Sequence, residues 1–114
     1  MATAGLLVTA SQAVAAPQAP QAPASASTYN FTTVIDQWTH YSPDANTSSH
    51  AGTLYAGTSY FYCWTYGAWY SNNGHYDDIW LKTDDDTGHR GVYVSDVNLD
   101  QWGWQHDQQY LPQC

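Results

Sequence analysis

The chain has no glutamate, and its only lysine and arginine are Lys82 and Arg90. Ten aspartates stand against them, giving a formal net charge of −8, and every one of these charges lies after residue 35. A field of that sign repels phosphate backbones and anionic lipid surfaces, because Lys and Arg supply most of the affinity for them. Nucleic acid is therefore excluded as a partner. The apolar run at Leu6, Leu7 and Val8 is too short to cross a bilayer. Leucine and isoleucine are scarce and there is a single methionine. What the chain does have is six Trp, ten Tyr and two Phe, 16% of its residues, all between Tyr29 and Tyr110. Large rings must then build much of the core, and their polar handles suit them equally to a binding face.

Of the 114 residues, the first 28 are poor material for packing, which leaves room for one small domain over 29–114. Residues 1–16, MATAGLLVTASQAVAA, combine a short apolar stretch with small residues at Val14 and Ala16, a signal-peptidase pattern. No basic residue precedes the stretch, so the segment is atypical as a signal, and an Ala-rich tail is the competing reading. Residues 17–28 open with PQAPQAPASAS, a Pro/Ala-rich linker with nothing to bury. Export places Cys63 and Cys114, the only two cysteines, in an oxidising setting where a small domain gains most from a covalent tie. A Cys63–Cys114 disulfide is expected. A reactive thiol at Cys63 would need a basic neighbour to lower its pKa, and the local sequence has none.

After Tyr29 no apolar stripe of helical period is sustained, whereas β-branched and aromatic residues alternate with polar ones in short runs. The reading is all-β, a small barrel of about five strands with a C-terminal tail tied back by the disulfide. The runs are YNFTTVI at 29–35, SYFYCWTYG at 59–67, DDIWLKT at 77–83 and VYVSD at 92–96, with a polar loop HYSPDANTSSHAG from residue 40. In the second run Tyr60, Tyr62 and Trp64 share one face, opposite Phe61, Cys63 and Thr65. Both faces being aromatic, the sequence leaves two-sided burial and an exposed ladder equally open. SNNGHY at 71–76 reads as a turn and DDDTGHRG as a hairpin connection. Val92 and Val94 should point inward, and Trp80, alternating with Asp78 and Lys82, should lie near the surface.

The stretches GTLYAGTSYFYCW (52–64), WLKT (80–83) and GHRGVYVSDVNL (88–99) resemble the strand and turn motifs of bacterial SH3-like (SH3b-type) domains. With the late LPxC ending, they look most like small secreted actinobacterial proteins. The resemblance implies an extracellular module that binds cell-wall peptidoglycan or an extended peptide and performs no chemistry; a monomer is expected. Two features depart from the family pattern: residues 36–51 lack an Arg-Ser-Gly-Pro signature, and Val92 reads as an added residue that would mark a bulge.

If the SH3-like groove is used, its expected ligand-binding lining is Trp38, Tyr41, Trp69, Tyr70 and Trp80, with core filling as each ring's alternative role. The acidic cluster Asp77, Asp78, Asp84, Asp85 and Asp86 admits three readings: a solvated hairpin tip, an attraction for ligand ammonium groups, or a weak Ca²⁺ site. The EF-hand pattern with its distal Glu is missing. His40, His50, His75, His89 and His106 lack the i, i+4 spacing of many zinc sites and read as surface residues. No metal or cofactor is expected. Nor is enzymatic activity, since no Gly-x-Ser-x-Gly elbow occurs and so small a barrel offers little room to bury a catalytic acid. Trp102 and Trp104, read on one side of an extended tail, either cap the core or widen the ligand platform. The expected function is a secreted non-catalytic binding module, with a secreted carbohydrate-binding or protein-interaction factor as the alternative.

Overall fold

A computed structural model describes residues 27–114; the segment 1–16 expected to direct export, and the expected linker up to residue 26, lie outside the described residues. Six strands form one antiparallel sheet curled into a half-barrel: β1 (Tyr29–Thr33), β2 (Gln37–His40), β3 (His50–Leu54), β4 (Gly57–Asn72), β5 (His75–Thr83) and β6 (Val92–Ser95). Their order across the sheet is β1-β4-β5-β6-β2-β3. The one α-helix among the described residues, α1 (Gln101–Tyr110), follows, and the Cys63–Cys114 disulfide ties the C-terminus to β4.

The β4–β5 hairpin is the backbone of the fold. Its two-residue loop, Asn73-Gly74, has both φ angles positive (54° and 76°), between the paired residues Asn72 and His75. Asn and Gly tolerate that region best, and a loop of this hand matches the twist of the flanking strands. Between β5 and β6 the register runs evenly from Trp80↔Ser95 to Thr83↔Val92, so Val92 marks no bulge, contrary to expectation. With Val92 and Val94 buried on the core side, regular alternation accommodates the sequence without an extra residue.

The irregularity falls instead at Tyr62, where pairing jumps from Phe61↔Thr83 to Cys63↔Lys82. One unpaired residue reverses the alternation. Phe61 is therefore fully buried and Trp64 also packs against the core, although strict alternation would set them on opposite faces. Phe31, Leu54, Ile79, Leu81, Val94, Leu99 and Leu111 complete that core, with Trp104 packed against it.

Two further expectations give way to the fold. The polar segment after residue 40 is flanked by two short strands, β2 and β3, that pair with each other, which raises the count to six. Its turn-forming residues occupy only the tip, where Asp44 accepts hydrogen bonds from the hydroxyls of Ser42 (2.7 Å) and Ser49 (2.5 Å). The tail is helical over Gln101–Tyr110 rather than extended. Asp100 caps it, accepting from the Gly103 amide at 2.8 Å, and the helix is long enough to stack Trp102 on His106 one turn later at 4.5 Å. Trp102 and Trp104 then diverge. Trp104 turns inward and caps the core, whereas Trp102 is left half exposed.

Candidate functional site

The outer face of β5 carries Trp80 and Lys82 in alternation, and around Trp80 the sheet opens a cleft of about 300 Å³. Trp38, Tyr70 and Trp80, three of the five rings expected in the groove, line it together with Gln37, Asn72 and Asn98. Strand β2 supplies Gln37 and Trp38, β4 supplies Tyr70 and Asn72, and a 3₁₀ turn after β6 supplies Asn98.

Trp80 forms the floor. At 2% exposure it is buried, not near the surface as its place beside Lys82 predicted. The cause lies in β4: Gly67 has no side chain, so the backbone crosses directly over the indole, where an added Cβ would come within 2.6 Å of Cδ1. The indole Nε1 donates to the Ala68 carbonyl at 2.8 Å, which satisfies its polar atom. His40 meets the ring edge-on at 6.2 Å and Tyr70 leans over it at 5.9 Å. Burial holds the His40 imidazole below its ordinary pKa, so it is neutral at pH 7, with Nδ1 hydrogen-bonded to the Ser49 hydroxyl at 2.9 Å.

Trp38 forms the rim. It is 53% exposed yet held in place, stacked on His50 with centroids 3.8 Å apart. The polar wall is a chain of amides. Asn72 Nδ2 donates to Asn98 Oδ1 at 2.9 Å, and Asn98 Nδ2 donates to Gln37 Oε1 at 3.0 Å. The chain ends on Gln37 Nε2, a buried donor with no protein acceptor. Such a group is costly to leave unsatisfied.

Tyr41 and Trp69 do not line this cleft. Tyr41 lies edge-on to His89, and Trp69 stacks on Tyr76 at 5.1 Å, both rings largely exposed. Gln37, Asn72 and Asn98 carried no sequence signal, since buried and solvated amides look alike until the strands are paired.

The five aspartates of the acidic cluster are not brought together. Asp77 and Asp78 stand at one end of β5 and Asp84, Asp85 and Asp86 beyond the other, a separation of roughly 20 Å at strand rise. Most are engaged by their own donors. Asp84 accepts from the hydroxyls of Tyr60 (2.6 Å) and Tyr62 (2.5 Å), and Asp86 accepts from the Tyr55 amide at 2.8 Å. Asp85 accepts from the Thr39 hydroxyl at 2.6 Å and from the backbone amides of Thr87 and His89. For Asp84 and Asp85 burial works to raise the pKa, but these hydrogen bonds outweigh it and hold both carboxyls below the ordinary range. Asp77 belongs to a different group, with Asp96 and Asp107, under α1. Burial, then the neighbouring carboxyls, drives Asp96 far above the usual range, and burial raises Asp107 as well. Among the described residues, no group of three or more His, Cys, Asp or Glu is arranged to hold a metal ion.

Compared with family models, with curated proteins and with solved structures, the chain matches none of them.

Proposed function

We propose that the protein is a secreted, non-catalytic binding module that recognises cell-wall peptidoglycan, holding one sugar ring in the Trp38–Tyr70–Trp80 cleft. The observation that carries this reading is the unpartnered donor Gln37 Nε2 in the wall of an aromatic cleft. A pyranose offers what such a site lacks: hydroxyl or acetamido oxygens for the amide and an apolar ring face for an indole. The cleft volume of about 300 Å³ suits a single ring and its substituents. The sequence resemblance to SH3-like wall-binding domains supports the same ligand class, although fold alone does not specify a ligand.

The test is retention of purified protein on insoluble peptidoglycan and on wall polysaccharide at low salt. Retention on peptidoglycan is expected, and loss of roughly tenfold in affinity in Trp38→Ala, since one aromatic stacking contact contributes on the order of 1 kcal/mol or more. Trp38 is half exposed, so the variant should keep its melting temperature. Absence of retention on both materials removes the reading; retention on polysaccharide alone transfers it to the alternative, a secreted carbohydrate-binding factor.

A further inference from the structure

The two cations of this chain occupy one place. Lys82 and Arg90 line a second cavity of about 380 Å³ with Tyr62, Cys63, Asp84 and Gly91. Carboxylates outnumber Lys and Arg five to one in the sequence, ten against two. Even so, among the described residues the one contact of this kind, at 3.1 Å, joins His89 Nδ1 to Asp85, and neither Lys82 nor Arg90 is bridged to any acid. Lys82 instead holds its ammonium 5.9 Å from the centroid of the Tyr93 ring, and Arg90 is exposed.

Asp84 is the one acid in the lining, and its oxygens are already occupied. Oδ2 accepts from both tyrosine hydroxyls, and Oδ1 accepts from the Gly91 amide at 3.0 Å. Its hydrogen-bonding capacity is thus directed to the protein, and two cations against one carboxylate leave a single positive charge in excess. In a chain of net charge −8, this is the one cavity whose lining holds both cations, with Asp84 offsetting one of the two charges.

We propose that this cavity is a binding site for a carboxylate group, received between Lys82 Nζ and the Arg90 guanidinium. A monoanion matches the excess of one charge, whereas a dianionic phosphate would face uncompensated repulsion from Asp84 and from the overall field. A guanidinium presents paired N–H groups that fit the two oxygens of a carboxylate. Lys82 lies two residues from Trp80 on the same face of β5, about 7 Å along the strand, but the site has its own residues and does not depend on the cleft.

Full-length oxidised protein, labelled with ¹⁵N, would be titrated with N-acetyl-alanyl-alanine, with the same dipeptide as its C-terminal amide, and with inorganic phosphate. The expected result is a saturable shift of the Gly91 and Tyr62 amides with the free acid and no response to the amide. The shift should weaken in about 0.5 M NaCl, because exposed charges are screened at that ionic strength. Affinity should fall about tenfold in either Lys82→Gln or Arg90→Gln, the worth of one charge-assisted hydrogen bond. Trp38→Ala should leave the response unchanged, which separates this site from the cleft. Equal responses to acid and amide, tighter binding of phosphate, or undiminished binding in the Lys82→Gln, Arg90→Gln double variant would each overturn the proposal. Spectra of the variants away from the cavity report whether the fold is kept.

Discussion

A carboxylic acid at 1% exposure must either meet a cation or keep its proton, and Asp96 meets Asp107 and Asp77 instead. Asp96 Oδ1 and Asp107 Oδ2 have no donor from elsewhere in the protein, so the pair is satisfied only when one carboxyl keeps a proton and donates it to the other. Trp104 Nε1 donates to Asp77 at 2.8 Å and the Gln108 amide to Asp107 at 2.7 Å, which fixes the acceptor side of the group. The folded-state pKa values of Asp96 and Asp107 lie above the ordinary 3.8. The stability they contribute is complete below that pH and is lost as pH rises. Asp44, Asp84 and Asp85 have lowered values, so their contribution is present above about 3.8 and is lost as pH falls through the folded values. The melting temperature should therefore peak at about pH 4, where the two contributions meet, and decline on both sides. Asp96→Asn supplies a permanent donor of nearly the same shape. It should flatten the alkaline limb and add on the order of 1–3 kcal/mol at pH 8, read by thermal melts from about pH 2 to 9. A variant whose melting temperature falls with pH as steeply as the parent would show that the shared proton is not the cause.

Strand β4 shows at the scale of an element how one glycine shapes a site. Its long course, Gly57–Asn72, pairs with β1 at its start and with β5 along most of its length, shifting register at Tyr62 and again between Tyr66 and Tyr70. The second shift brings Gly67 over Trp80 and against the Pro43 carbonyl. In Gly67→Ala the new methyl would collide with both, and backbone cannot yield as a flexible side chain can. A loss of about 1–3 kcal/mol is expected in denaturant unfolding. Weaker glycan retention should accompany it, since the cleft floor must shift. Helix α1 makes a complementary point. Gly103 and the run of Gln and His give little apolar periodicity, which left the tail reading as extended; the Asp100 cap and the packing of Trp104 and Leu111 against the sheet decide the helix.

In the whole molecule, the half-barrel leaves two sheet edges, at β1 and β3, and the C-terminal region covers the first. Val34 donates to the Asn98 carbonyl at 2.9 Å and Asp100 to the Thr32 carbonyl at 2.9 Å, extending the ladder past β1. Beyond α1, the Trp64 amide donates to Pro112 and the Cys114 amide to Trp64, so the tail lies along β4 before the disulfide closes. The bond spans 51 residues. The chain-entropy model gives roughly 4 kcal/mol for a loop of that size, much of the stability of a small domain. Cys63→Ser with Cys114→Ser should lower the unfolding free energy by about that amount, checked by urea denaturation. An unchanged midpoint would mean that the backbone bonds alone hold the tail.

The strand-rich architecture, the Asn73-Gly74 turn and the tie between Cys63 and Cys114 are legible along the chain alone, because they rest on local dihedral preferences and on there being two cysteines. Of the five rings expected from the SH3-like resemblance to line a groove, Trp38, Tyr70 and Trp80 border one cleft, whereas Tyr41 and Trp69 lie apart from it. The folded sheet was needed to make Trp80 a buried floor, to disperse the aspartates among separate hydrogen-bond networks, and to bring Lys82 and Arg90 to one cavity. Each of these depends on strand register. A shift of one residue turns a side chain to the other face, and register is settled by the sum of pairings across the sheet, which no single stretch of chain contains.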